Sequence, residues 1–307
     1  MDIRNLEEAD LPAVLELCRR SLPLDEFELT PLRRRLIEEP NRNPSYQLCL
    51  WDDARLVGVM FGGTRRLHDG HTLLPHERAV GILQLFAVDP DYRRRGLAGR
   101  MLTTLGQRMH GRGLSWLRCG NFAPSYFWPG VDLRYTPGLC FLLRHGFHRK
   151  GDAVNMEVDL TAHDWDTSAA EARLAADGFS IRRLLPGDQA ALSEWVHAEW
   201  GSIWQWEALS TYANDPVSAF VALKEGKLCA FACYDTSSFR NVFGPTGTAE
   251  EQRWKGLGRV LLLRCLRDLR ELGFERAEIS WVGPISFYAR TVDAAINRSF
   301  YWLEKEL

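Results

Sequence analysis

Arg93-Arg94-Arg95-Gly96-Leu97-Ala98-Gly99-Arg100-Met101-Leu102 and Arg253-Trp254-Lys255-Gly256-Leu257-Gly258-Arg259-Val260-Leu261-Leu262 are two versions of one pattern. Both read Arg-x-x-Gly-Leu followed by a small residue, and both open a run with apolar residues at helical spacing. The two runs end at Gly113 and Gly273, equally far beyond Gly96 and Gly256, and a strand-like segment follows each: Leu114–Cys119 and Ala277–Val282. The likeness extends upstream. Ile3-Arg4-Asn5-Leu6 leads to Asp10 and a helical pattern, as Ile181-Arg182-Arg183-Leu184 leads to Asp188. An acid at each helix start suits the positive end of the helix dipole. A repeat on this scale means that the chain carries two copies of one folding unit.

The 307 residues accommodate two domains of about 150 residues each. We place the first over residues 1–160, a linker rich in Ala, Asp, Glu and Thr over 161–178, and the second over 179–307. Each copy contains a hairpin signature: 46–51 and 56–61 around Asp52-Asp53, then 219–223 and 228–233 around Glu225-Gly226. Strands alternating with helices predict an α/β mixed sheet covered by helices in each half. Cys229 and Cys233, four apart in a strand, are expected on one face as buried thiols. The first copy carries two insertions, Arg65–Arg78 and Asn121–Gly138, of a kind that often lines sites. His71 and His76 in the first of them read as solvated loop residues.

The repeated motif has a chemical use. Segment 82–88 reads as a strand that Asp89-Pro90 breaks, and a helix starts at Gly96. A helix start presents amide groups without intrahelical partners and a partial positive charge. Small residues let a diphosphate approach that backbone, and an arginine adds a charge-assisted contact. The residues of such a cradle are Arg93, Arg94, Arg95, Gly96, Leu97, Ala98 and Gly99 in the first copy. In the second they are Arg253, Trp254, Lys255, Gly256, Leu257 and Gly258.

This loop resembles that of the GNAT N-acetyltransferase superfamily, (Gln/Arg)-x-x-Gly-x-(Gly/Ala), and the chain is similar to a tandem two-domain member. The resemblance implies acetyl-CoA as cosubstrate, no metal, and a sheet that splays between its fourth and fifth strands. Backbone groups at Phe86 and Val88, and at Thr246 and Thr248, then pair with the pantetheine amides. Members of the family often supply an acid from a Phe-Tyr-x-x-x-Gly-Phe helix after the fifth strand. The second copy has Phe287-Tyr288 there but lacks the Gly-Phe; the first keeps Gly146-Phe147 but has Leu142 in place of the tyrosine. Tyr288 is therefore the candidate general acid, with a packed aromatic as the alternative, and the second copy the better catalytic candidate. Tyr126 and Tyr135 lie in the inserted loop of the first copy, and Glu250 and Glu251 enter the second cradle as candidate bases.

The expected reaction is direct transfer of an acetyl group to a primary amine, small-molecule or peptide, in a ternary complex. Two other readings stay open at this point: an acyl-CoA sensor or scaffold with one or both copies inert, and aminoacyl transfer from a charged tRNA. A net charge of −2 without a long basic run speaks against nucleic acid. No signal peptide or membrane span is read, seven scattered cysteines suggest no disulfide framework, and the cytoplasm is the default address. Trp200, Trp204 and Trp206 either wall an acceptor pocket or pack the domains.

Overall fold

The computed structural model describes residues 1–39, 42–64, 79–120 and 126–307. It resolves into two units, one formed by Met1–Ala153 with Arg298–Leu307, the other by Val154–Asn297. Insertion 65–78, with His71 and His76, lies outside the described residues, and of the second insertion only 126–138 is described.

The sheet of unit 1 runs in the order β1 (Asp2–Asn5), β2 (Gln47–Asp52), β3 (Arg55–Thr64), β4 (Val80–Val88), β5 (Trp116–Cys119), with β13 (Ala295–Glu306) closing it. Neighbours are antiparallel except β4 and β5, which are parallel. Unit 2 repeats this arrangement. Strands β8 (Phe179–Arg183), β9 (Ala219–Lys224), β10 (Lys227–Tyr234) and β11 (Val242–Thr248) are antiparallel; β11 and β12 (Arg276–Ile279) are parallel; and β7 (His148–Asp159) closes the sheet from Met156 to Asp159.

Each closing strand comes from the other half of the sequence. The division at 160 and 178 is therefore corrected: residues 154–160 and the expected linker belong to unit 2, and the last ten residues of the chain to unit 1. Cross-strand pairs favour the observed partners. Glu304 stands opposite Arg118 in the β13–β5 register and accepts two hydrogen bonds from its guanidinium, at 2.8 and 2.6 Å. Directly opposed unlike charges stabilise a strand pair. In unit 2, Arg276 pairs with Glu157 of β7. The stretch read as a linker holds helix α5 (Ser168–Ala176), with Trp165 and Leu174 buried and Glu171 bound twice by Arg264, each bond 2.6 Å.

In unit 1, helices α1 (Leu11–Ser21) and α2 (Leu29–Leu36) follow β1. Helix α3 (Leu97–His110) buries Leu97, Met101, Leu102, Leu105 and Met109, one stripe at helical spacing. It lies close on the sheet because glycines receive its methionines: a Cβ at Gly81 would stand 2.5 Å from the Met109 sulfur. Helix α4 (Thr136–Arg144) comes after the short strand β6 (Val131–Asp132).

In unit 2, α6 (Gln189–Trp200) and α7 (Ser202–Ser210) precede β9, α8 (Leu257–Glu271) follows β11, and α9 (Ile285–Val292) follows β12. Along β10, Ala230, Ala232 and Tyr234 join the core beneath α8, while Phe231 and Cys233 join the cluster under α6 and α7. Cys229 packs with the former set. A bulge between Leu228 and Ala230 breaks the alternation there, so Cys229 and Cys233 do not share a face as expected.

The acids at the two helix starts do more than meet a dipole. Asp10 accepts from both terminal nitrogens of Arg4 (2.7 and 2.6 Å) and from the Glu7 amide at 2.9 Å. Asp188 does the same with Arg182 (2.6 and 2.8 Å) and the Leu185 amide at 2.8 Å. Each pins strand to helix. Among the described residues no helix is long and apolar enough to cross a membrane.

Candidate functional site

Among the described residues, strands β4 and β5 pair only at Val80↔Trp116, Gly81↔Leu117 and Ile82↔Arg118. Beyond Ile82 they part, and among the described residues Leu83 to Val88 have β3 as their one strand neighbour. The gap opens a cavity of about 480 Å3 lined by that stretch of β4, by Leu22-Pro23-Leu24 after α1, by Trp128 and Asp132, by Tyr135, Pro137 and Gly138 at the start of α4, and by Phe141 farther along it. A strand edge without a partner holds amide and carbonyl groups that need one. Unit 2 diverges likewise after Val242↔Glu278 and Phe243↔Ile279.

At the end of β4 the chain makes the expected turn. Arg94 has φ +63°, Gly96 has φ +75° and caps α3; Trp254 (φ +68°) and Gly256 (φ +94°) repeat it before α8. Nothing lies within 4 Å of a Cβ built on Gly96, so glycine is required there by conformation and not by crowding. Asp89 anchors the turn. Its side chain, 2% exposed, accepts from Arg55 at 2.9 Å, Arg20 at 3.1 Å and the Asp91 amide at 3.1 Å. Burial works against its charge, yet these hydrogen bonds prevail and hold the carboxyl below its ordinary value. Ala249 stands at the matching position of unit 2.

The arginines of the first turn divide their work. Arg93 donates to the carbonyls of Val88 (3.1 Å) and Ser21 (3.0 Å), closing the strand end against α1. Arg95 donates to the Asp91 carbonyl at 2.7 Å and lies 4.9 Å over the Tyr92 ring. Arg94 is exposed and lines the cavity. A second cavity of about 490 Å3 adjoins the turn, lined by Arg94, Gly96, Leu97, Ala98 and Gly99, and by Cys140, Arg144 and His145 of the α4 end. Val88, Arg93, Arg94, Ala98, Pro137 and Phe141 line both cavities, so the two adjoin along a shared wall and together make the cleft of unit 1. Acetyl-CoA fits the donors of this cleft: an unpaired strand edge for an amide-bearing arm, and a helix N-terminus with a cation for a diphosphate.

A family model described as the acetyltransferase (GNAT) family matches residues 8–123 and 188–291. The chain belongs to the GNAT acetyltransferase family. Its two GNAT domains also align with solved structures over nearly the whole chain. A tandem GNAT protein from the clavulanic acid biosynthesis pathway has a TM-score of 0.67 at 16% identity, covering 99% of this chain and 98% of that one. A GCN5-related N-acetyltransferase from Sphaerobacter thermophilus gives 0.67 at 17%, covering 99% and 95%. The GCN5-related glucosamine N-acetyltransferase region of a fungal multi-domain β-N-acetylglucosaminidase gives 0.72 at 17%; this chain, covered to 99%, spans 38% of that one. At such identities the likeness is one of fold. No curated protein matches the sequence.

The remaining sequence candidates fall as follows in this GNAT chain. Phe86 and Val88 line the cleft, as do Arg93, Arg94 and Gly96 to Gly99. Arg95 turns aside. In unit 2, Arg253 reaches the Thr248 carbonyl at 3.4 Å, Lys255 donates to Gln252 at 2.7 Å, Trp254 is fully exposed, Leu257 is buried, and a Cβ on Gly258 would stand 3.6 Å from the Thr248 hydroxyl. Thr246 donates to the Phe231 carbonyl at 3.0 Å. Glu250 and Glu251 are exposed on the turn before α8.

Tyr288 is buried on α9 against Phe243 and Phe287, its hydroxyl has no hydrogen-bond partner among the described residues, and burial pushes its pKa up to about 12. Leu142, its counterpart in the repeat, is wholly buried too. Trp200 and Trp204 stack at 5.8 Å, and a Cβ on Gly247 would meet Trp200 at 2.5 Å, so these rings pack onto the sheet of unit 2. Sequence reasoning passed over Asp89, Gly138, Phe141, Cys140, Arg144 and His145. The strand-ending Asp89-Pro90 and the Phe141-to-Phe147 motif were the signals available for them.

Proposed function

We propose that unit 1 binds acetyl-CoA in the gap between β4 and β5 and transfers its acetyl group directly to a primary amine of a small molecule or peptide. One observation carries this reading: the edge of β4 beyond its pairing with β5 and the Gly96 turn open into two cavities that share a wall. Amides at the start of α3 and the Arg94 guanidinium are the groups suited to the diphosphate, with Arg144 at the rim. The backbone edge that β4 turns away from β3 beyond Ile82 suits the pantetheine arm. Acetyl-CoA supplies the acyl group as a thioester.

The apolar wall of Leu22, Leu24, Trp128 and Phe141 disfavours an ammonium ion, so an amine entering there gives up its proton more readily. A thiol of pKa about 8.5 leaves without much help from an acid, which makes Leu142 compatible with turnover in unit 1. Burial of Tyr288 in the core of unit 2 favours the packing role for that residue. Seven unpaired cysteines, six of them buried, suit a reducing compartment, and we assign the chain to the cytoplasm.

The test is release of free CoA thiol from acetyl-CoA across a panel of primary amines, run on Gly96→Glu and Gly256→Glu. Loss of turnover in the first alone supports unit 1. Loss in the second alone, or no acetyl-CoA binding to either half, overturns the assignment.

A further inference from the structure

Unit 1 holds a buried charge cluster that the transfer step does not use. Arg298 of β13, its side chain 4% exposed, donates through Nε to Asp132 at 2.8 Å and through Nη1 to Asp25 at 2.8 Å. The two carboxylate side chains are 1% and 2% exposed. Asp25, in the loop after α1, also accepts from the Tyr135 hydroxyl at 2.7 Å and the Trp128 indole at 3.1 Å. The Tyr135 oxygen in turn accepts from the Leu24 amide at 3.0 Å. Asp132 of β6 accepts from the amide and the guanidinium of Arg134, each at 2.9 Å. Burial beside Asp25 raises the pKa of Tyr135 and keeps its phenol protonated.

Two arginines and two carboxylates balance in charge, and every member has a partner. Such clusters add little net stability over an apolar core, because desolvation offsets the attraction; their best-attested value lies in specifying one arrangement. Here the arrangement specified is the cavity wall. Leu24, Trp128, Asp132, Arg134 and Tyr135 all line the cavity, and Tyr135 leads directly into α4. The element at the centre is β13, which also pairs with β6 through Phe300↔Asp132 and Tyr301↔Val131.

We infer that Arg298 is a positioning residue for the unit 1 cleft: through Asp25 and Asp132 it orients Tyr135, Trp128 and the start of α4, so the chain's last strand sets the wall that faces the acyl arm. The inference rests on the functional reading above only in taking acetyl-CoA as the occupant. The Gly96 turn is built without the cluster, so the two ends of the cleft respond differently to its loss.

The experiment uses the full chain as wild type, Arg298→Met, Arg298→Lys and the triple Asp25→Asn/Asp132→Asn/Arg298→Met, which removes the three buried charges. Affinities for acetyl-CoA and for its nucleotide end, adenosine 3′,5′-bisphosphate, are titrated, and the Trp128 indole N–H is followed by NMR after assignment with Trp128→Phe. Arg298→Met is expected to weaken acetyl-CoA about tenfold or more, change nucleotide affinity less than about twofold, and move the indole signal, with lysine giving partial rescue. If Arg298→Met fails to fold, the triple variant carries the test with the same expected split. Acetyl-CoA affinity and an indole signal unchanged in the variant that folds would overturn the inference. A wild-type protein that binds no acetyl-CoA would remove the functional reading, and the indole signal would still decide whether Arg298 sets the wall.

Discussion

Gly96→Ala separates the conformation of the turn from its surroundings. Gly96 sits at φ +75° with no atom within 4 Å of the position a Cβ would take. Alanine therefore adds no clash, only the cost of a left-handed backbone, about 1–2 kcal/mol. Gly113, beyond the other end of α3, has φ +83° and the same open surroundings, which makes Gly113→Ala a control of equal strain remote from the cleft. Both variants are expected to lose about 1–2 kcal/mol of stability in unit 1. In Gly96→Ala the turn can relieve that strain by leaving its conformation, which lowers the population of the cradle about 5- to 30-fold at 1.4 kcal/mol per tenfold. Isothermal titration with acetyl-CoA, beside thermal melts, should show affinity falling by that factor for Gly96→Ala and holding for Gly113→Ala. Equal affinities at equal loss of stability would refute the part given to this backbone.

Three further outcomes follow from the same structure. Asp89→Asn should cost about 1–3 kcal/mol at neutral pH by weakening charged hydrogen bonds from Arg55 and Arg20. Because the folded carboxyl lies below its ordinary value, that stability is present above the usual carboxylate range and is lost as pH falls through the folded value; the variant should show a flatter acid limb in urea melts. Tyr288→Phe removes a hydroxyl that makes no hydrogen bond among the described residues, so stability should change by less than about 0.5 kcal/mol and turnover should stay at the wild-type rate; a large fall in kcat would make Tyr288 the acid. Cys140 is the single exposed thiol of seven, while burial pushes Cys18 up to about 12 and raises Cys49 and Cys119 as well, so a thiol reagent should label one cysteine quickly and acetyl-CoA should slow it.

The cradle was legible because its conformation is written in residue type. Positive φ at a helix start calls for glycine, and Gly96 and Gly256 announce it twice. Hairpins and helices were legible from periodicity, down to the Glu225-Gly226 turn, while the first hairpin turns one residue later than expected, at Asp53-Ala54. The partners of the last strands were not. β7 and β13 are both twelve residues long and follow equivalent helices, so each has the makings of a closing strand for either sheet. Opposed charges such as Glu304 and Arg118 favour the observed pairing across 186 residues, a separation no local pattern spans. Arg298 was silent for the same reason, since its carboxylates lie 166 and 273 positions away. Tyr288 shows the converse: a motif position marked it, while packing against Phe243 and Phe287 determines its surroundings.

The most direct test of unit 1 as the acyl-CoA site is native mass spectrometry of the full chain with acetyl-CoA, counting cofactors bound to wild type, Gly96→Glu and Gly256→Glu. A bound cofactor that disappears in Gly96→Glu and persists in Gly256→Glu is the expected result. A cofactor that survives Gly96→Glu and is lost only in Gly256→Glu would contradict it.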